Sequence, residues 1–371
     1  MIERARYPQQ VPDRERVRKA FTNPAEFTTS PLYRSLSRTV AASDQLLDLA
    51  AQGRPGQYPT FLFFGAVHRL LLSGVSHPLA RYYPSVAGAA ARPAGEAGPA
   101  LESFGREFAP ELAETIRTRL VQTSVVQRSL GLRVGLSVVA AAAGASLGPL
   151  HVIEVGASAG LNLRFGRYGY RLRGPRYGPG SRQYGDPDSP VQLEADVSGP
   201  AALPDLDRLP AIGRVQGVDL NPVDATDPDA RAWLEALVWP ENSAQRELLG
   251  RALAVAAADP PLIRAGDAVD VLPELAAGLP PGEPRLVFHA ATRMHVPRDR
   301  RPAFDDAIRA VGATGPLWWV SVEGSPKPDP RPRPARLGPA LTLRDPGGHT
   351  RTLAVVDGHL RWIETLESAG R

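Results

Sequence analysis

Apolar residues recur at helical spacing through 32–51, at Leu32, Leu36, Val40, Leu46, Leu47 and Leu49, and predict a helix there. Pro59 opens a second helical segment, 60–73. Its Phe61, Leu62, Phe63, Phe64, Leu70, Leu71 and Leu72 leave almost no polar face, so it must be buried on most sides. Ala, Gly and Pro crowd 87–99, which reads as a loop. Residues 101–147 return to a helical pattern, with interruptions expected at Gly131 and Gly135. From residue 149 the pattern changes. Short apolar runs at 152–155, 214–220, 262–264, 285–289 and 317–322 read as strands. Between them lie helical stretches at 161–168 and 229–258, the second broken near Pro240. A Gly-, Pro- and Tyr-rich stretch at about 170–197 reads as a hairpin insertion. The tail, 340–344 and 352–364, reads as an antiparallel pair around Asp357 and Gly358. Alternation of this kind predicts a mainly parallel sheet that takes its ligand at the carboxyl ends of its strands. The expected division is a helical region, 1–148, that covers or caps an α/β domain, 149–371.

Composition changes this picture mostly by exclusion. A chain of 371 residues with 43% hydrophobic content holds one large globular domain or two ordinary ones. It has no cysteine, which excludes disulfides, zinc–thiolate sites and thiol catalysis. Residues 1–19 are charged and lack an apolar core, so no secretory signal is expected. The most apolar stretch, 136–150, is too short and too rich in Ala and Gly to span a bilayer. A cytoplasmic location without a membrane partner is the expectation. A net charge of +4 raises the question of nucleic acid. Acidic residues are interspersed, however, and the only lysines are Lys19 and Lys327. The Arg-rich stretch 164–182 reads as a solvated loop or hairpin face, so a nucleic-acid partner is not expected. Neither is a metal, because no two His share ligand spacing on one predicted element; His289 and His295 are the nearest pair.

The chemistry concentrates in His151-Val-Ile-Glu-Val-Gly-Ala-Ser-Ala-Gly-Leu-Asn-Leu163. A buried strand (Val152, Ile153, Val155) carries Glu154 near its carboxyl end and runs into a glycine turn and a helix start. Gly156 and Gly160 allow the backbone to pass close to a ligand. Further strand-end groups follow in order: Asp219 after the second strand, Asp267 after the third, His289 after the fourth. In a Rossmann-like sheet they line one crevice. Asp219 suits two vicinal ribose hydroxyls, Asp267 an adenine amino group, and Glu154 an ammonium. This set fits S-adenosylmethionine better than a dinucleotide, whose pyrophosphate would avoid a carboxylate at the helix start. Glu154 followed by Gly156-Ala-Ser158-Ala-Gly160 resembles the first motif of class I S-adenosylmethionine-dependent methyltransferases, with Ser158 in place of the middle glycine. The expected fold class is accordingly a Rossmann-like sheet of that type with a helical N-terminal region. Its cofactor residues would be Glu154, Gly156, Ser158, Gly160, Asn162, Asp219 and Asp267.

Three longer stretches resemble a bacterial family catalogued as domain of unknown function 2332. They are Phe61-Leu-Phe-Phe-Gly-Ala-Val-His-Arg-Leu-Leu-Leu72 with His77-Pro-Leu-Ala-Arg-Tyr-Tyr-Pro84, then Gln122-Thr123 with Arg128, then the 154–162 motif. Val218-Asp-Leu-Asn-Pro222 and Phe288-His289 complete the last of them. The resemblance implies a helical N-terminal region on a methyltransferase-like domain and implies no substrate. Where a typical member would carry Asn-Glu after Gln122-Thr123, this chain has Ser124-Val125, a change that bears on whether it performs the same chemistry.

Methyl transfer to a small or medium acceptor needs alignment, plus a base where the acceptor is protonated. His289 is the first candidate for that base and Glu323 the second. His68, Tyr83 and Gln122 are candidates for contact with the acceptor, although His68 also reads as a satisfied core histidine. Two other readings stay open. Gly156-x-Ser158-x-Gly160 also spells the turn of a serine hydrolase, with Asp267 and His289, or Glu323 and His349, as partners. The third reading is a retained fold that binds cofactor as a sensor or scaffold. Each acid has a plainer role as well: Asp219 in an Asx turn into Pro222, and Asp267 as a helix cap.

Overall fold

Ser43 divides what the spacing predicts as one helix. Its backbone is extended (φ −108°, ψ 112°), and its hydroxyl accepts from Leu46 N, so it ends one helix and caps the next. The computed structural model describes residues 14–23, 25–144, 147–178, 180–324 and 337–366; residues 1–13, read above for a signal, and Lys327 lie outside these. The helices run α1 (Arg14–Phe21), α2 (Pro31–Ala42), α3 (Asp44–Ala50), α4 (Pro59–Leu72), α5 (Pro84–Ala87), α6 (Gly98–Glu107) and α7 (Ala109–Thr118). The loop expected at 87–99 contains two short 3-10 turns. Next comes α8 (Ser129–Ala143), which runs unbroken through Gly131 and Gly135. The interruption expected there falls instead at residues 119–125, ahead of a 3-10 turn at Val126–Arg128. The two glycines serve packing: a Cβ on Gly131 would press on Val322, and one on Gly135 would collide with Val320.

The chain forms two compact units. One comprises residues 1–123 and 228–247, the other 124–227 and 248–371. The division therefore differs from a single cut after residue 148. The helix α8 belongs with the sheet strand on which its glycines rest. Conversely, α9 (Pro228–Ala236) and the start of α10 (Ser243–Ala258) belong with the first seven helices.

In the first unit α4 is the central helix. Phe63, Phe64, Ala66 and Val67 are buried with Leu36, Val40, Leu46 and Leu101 in one core. Gly65 lets Trp233 and Leu237 close against α4, so α9 packs on the helix predicted to be buried on most sides. Burial of Phe63, Phe64 and Val67 contributes on the order of 1.5–3 kcal/mol each.

The second unit is built on one sheet of eleven strands among the described residues. They are β1 (Leu150–Val155), β2 (Gly169–Arg173), β3 (Ser181–Gly185), β4 (Gln192–Ser198), β5 (Ile212–Asp219) and β6 (Leu262–Ala265). The remainder are β7 (Arg285–Ala290), β8 (Leu317–Glu323), β9 (Ala340–Arg344), β10 (Thr350–Val356) and β11 (Trp362–Thr365). Their spatial order is β3-β2-β4-β11-β10-β9-β8-β7-β1-β5-β6. The five strands read from apolar runs form the parallel end, β6-β5-β1-β7-β8. The chain leaves β1 to one side for β5 and β6, then crosses to the other for β7 and β8. That reversal makes the carboxyl end of β1 a topological switch point, where open α/β sheets take ligands.

Two local expectations change. The helix expected at 161–168 is a 3-10 run, Asn162–Arg167. The insertion is more than a hairpin: β2 and β3 pair antiparallel, but β4 runs parallel to β2 and joins the sheet through β11. The tail supplies three strands where a pair was expected. Helices α11 (Ala268–Ala277) and α12 (Arg301–Ala310) cover one face of the parallel end, where Ile153, Val155, Val218 and Val287 meet Leu272, Leu275, Phe304 and Ile308. No described helix is long and apolar enough to cross a membrane.

Candidate functional site

The turn after β1 is held by the end of β5. Gly156 N and Ala157 N both donate to Val218 O, at 2.9 and 3.2 Å. Ser158 N donates to Asp219 Oδ2 at 2.8 Å, and Asn221 N to Asp219 Oδ1 at 2.8 Å. Asp219 thus forms the expected Asx-type turn and at the same time ties β5 to the glycine turn. Each of its oxygens takes a backbone donor. Ser158 adopts φ +52°, the left-handed region where the related motif has glycine. Its hydroxyl meets Ser124 Oγ at 2.9 Å.

Gly156 and Gly160 also have positive φ, but protein fills the space their missing side chains leave. A Cβ on Gly156 would collide with Thr292, and one on Gly160 with Pro261. The glycines therefore fit the turn between neighbouring strands, a structural demand distinct from close approach to a ligand.

Glu154 is the unusual group. It is buried at 2% exposure, on the face of β1 opposite Ile153 and Val155. Oε1 accepts from Asn162 Nδ2 at 2.7 Å, while Oε2 and Asn162 Oδ1 are buried without a hydrogen-bond partner. Burial pushes the carboxyl up to about 8; the hydrogen bond from Asn162 opposes the rise, Asp219 adds to it, and Arg128 opposes it. Two orphaned oxygens on hydrogen-bonded neighbours, one of them on a carboxyl that an arriving cation would ionise, suit a ligand rich in N–H.

Arg128 supplies the opposite charge. Its Nε donates to Gly358 O at 3.0 Å. Burial lowers its pKa, against the pull of Glu323, Asp357 and Glu154. The sequence pattern alone assigns this arginine no role. The available signal was its position: a cation at the start of α8 opposes the helix dipole, which favours acids there.

His289 is placed differently from the expectation. Glu154 stands in register with Phe288, so His289 falls on the opposite face of the sheet, against Phe304 of α12 at 5.6 Å between ring centroids. Its Nδ1 pairs with Glu323 Oε1 at 3.0 Å, and its Nε2 accepts from Trp319 Nε1 at 2.9 Å. At 1% exposure, with both nitrogens engaged, it is not placed to take a proton from an acceptor. Glu323 Oε1 also accepts from Thr292 N and Arg293 N, at 2.6 and 2.7 Å. Burial pushes the Glu323 carboxyl up, but the bonds from His289 and from these two backbone donors outweigh it and leave it below the ordinary range. The pair orients the loop after β7, whose Thr292 packs on Gly156; neither residue acts as a free base.

Asp267 likewise takes its plainer role. It caps α11 through Val269 N at 3.0 Å and pairs with Arg300 at 3.0 Å. His68 and Tyr83 lie in the helical unit, both fully buried, and the half-buried Gln122 lies on the non-helical segment after α7. In the Arg-rich stretch, Arg164 pairs with Asp259, Arg171 and Arg173 with Glu194, and Arg182 with Asp205.

No curated protein and no solved structure matches the chain. A family model does, over residues 18–365. The chain therefore belongs to the family described as uncharacterized proteins conserved in bacteria (DUF2332).

Proposed function

We propose that the sheet unit binds S-adenosylmethionine at the carboxyl ends of β1 and β5 and transfers its methyl group to a small or medium acceptor. The observation that carries this reading is the orphaned pair Glu154 Oε2 and Asn162 Oδ1, buried beneath the turn after β1. The residues present suit the group. Glu154 and Asn162 offer acceptors to an ammonium, Arg128 offers a cation to a carboxylate, and together they suit an α-amino acid end. The carboxylate of Asp219, at the end of β5 beside the turn, suits ribose hydroxyls. Leu220 and Met294, 66% and 59% exposed beside the strand ends, offer apolar faces to a flat base. The parallel order β6-β5-β1-β7-β8, with its switch point at β1, favours the same reading. Asp267 fits the base less well, being committed to its helix cap and Arg300.

When bound, the group supplies an electrophilic methyl on a sulfonium. What this chain contributes is alignment and charge: Glu154 and Arg128 fix the amino acid end, and Asp219 fixes the sugar. With His289 committed to Glu323 and Trp319, the reading favours an acceptor that needs no base from β7.

That commitment also favours a second reading, a cofactor-binding sensor of the same fold. The serine hydrolase reading at Ser158 loses support, because its hydroxyl pairs with Ser124 and His289 lies across the sheet. Calorimetric titration with S-adenosylhomocysteine tests cofactor binding, and turnover with candidate acceptors separates enzyme from sensor.

A further inference from the structure

The helical unit holds a second constellation, unrelated to the cofactor reading. His68, on α4, is fully buried. Its Nδ1 lies 2.9 Å from Ala236 O, a carbonyl at the carboxyl end of α9. A carbonyl only accepts, so Nδ1 carries the proton. Burial lowers the imidazole to about 4, so the ring is neutral at pH 7 and Nε2 is a bare acceptor. The group on that side is Ser85 Oγ at 2.7 Å, which must donate. Ser85 sits on the short helix α5, anchored by the buried Tyr83 whose ring stands 5.5 Å from that of His68. Unlike His68, Ser85 reaches the surface in part. Arg246 Nη2 donates to Ser85 O at 3.1 Å and brings a cation to the same place.

We propose that Ser85 is a nucleophile activated by His68, with the Ala236 carbonyl orienting the imidazole, and that it acts on a small carboxylic ester. A core histidine needs only satisfied nitrogens. Here the tautomer is fixed by the Ala236 carbonyl, so that the acceptor nitrogen faces the hydroxyl of a residue that is itself partly exposed, which is the arrangement nucleophile activation requires. Ser85 Oγ adds to the ester carbonyl carbon as its proton passes to Nε2, and the charge that develops on the carbonyl oxygen lies beside Arg246. Collapse of the adduct breaks the ester C–O bond, and the leaving alkoxide takes the proton from Nε2 and departs as an alcohol. Water then gives a proton to the same nitrogen, attacks the acyl-Ser85 ester and releases the carboxylic acid, and the proton returns to Oγ.

The test treats the full chain with a fluorophosphonate probe, maps the adduct by peptide mass spectrometry and follows p-nitrophenyl acetate hydrolysis. The expected result is one adduct on Ser85, lost in Ser85→Ala and formed roughly 100-fold more slowly in His68→Gln. No adduct on the folded protein, an adduct on Ser158 instead, or labelling unchanged in Ser85→Ala overturns the proposal. Because His68→Gln also removes a buried partner, a second variant uses the absence of cysteine in the chain. In Ser85→Cys, iodoacetamide is expected to react at pH 6.5 at least tenfold faster than with glutathione; a rate no faster than glutathione overturns the proposal as well.

Discussion

A single oxygen of Glu323, Oε1, meets Nδ1 of His289 at 3.0 Å and collects two backbone N–H groups besides. One carboxylate thereby fixes a histidine tautomer, the loop after β7 and, through Thr292, the wall against which Gly156 turns. Glu323→Ala strands three donors and is expected to destabilise the protein by about 3 kcal/mol at pH 7, measured by urea denaturation. Its folded pKa is depressed, so its stabilisation is present above the ordinary value of 4.5 and is lost as pH falls through the lower folded value. The gap between wild type and variant should close only in acid; a gap that persists there contradicts this account.

Glu154 has the opposite sign. Its folded pKa is raised from 4.5 to about 8, so the folded state holds a proton that the unfolded state releases. Stability is expected to fall as pH rises from about 4.5 to about 8 and to level off above, by at most about 5 kcal/mol. Glu154→Gln should remove this slope and be the more stable protein at pH 8.5. Equal pH profiles for the two proteins would contradict the assigned burial.

Motif residues should separate by their neighbours. Gly156→Ala meets Thr292 at positive φ and is expected to lower stability by more than about 2 kcal/mol. Ser158→Gly exchanges left-handed strain for chain entropy and the Ser124 bond, and should stay within about 1 kcal/mol of wild type. Urea midpoints of the two variants test the contrast, which fails if Ser158→Gly is the worse.

Arg128→Met should weaken S-adenosylhomocysteine binding by about tenfold or more, since it removes the cation offered to the carboxylate. Adenosine, which lacks the amino acid end, should bind wild type and variant alike. A parallel loss for both ligands would mean that Arg128 supports the fold instead of reading the ligand.

How far the sequence carries depends on what each feature rests on. The five parallel strands were legible because each is a short apolar run, and each appears within two or three residues of its predicted place. The pairing of β4 with β11 joins residues more than 160 positions apart, and no local pattern announces it. Gly131 and Gly135 read as breakers because propensity is local, whereas the demand on them comes from Val320 and Val322. The side of the sheet that His289 faces turns on strand parity: a step of one residue separates the face of Glu154 from the face of α12. The importance of Glu154 was visible from its place before the glycine turn. That its second oxygen and that of Asn162 lack partners is a fact of packing which composition and spacing do not encode.

The central claim is that this orphaned pair receives an ammonium-bearing cofactor, and the most direct measurement is calorimetric titration of S-adenosylhomocysteine into wild type and Glu154→Gln at pH 7. The account predicts micromolar binding to wild type, with a proton released on binding because the ammonium favours the ionised carboxylate. It predicts at least tenfold weaker binding to Glu154→Gln, with that proton release gone. Absence of binding to ligand-free wild type, or equal affinity and equal proton release in the two proteins, would contradict it.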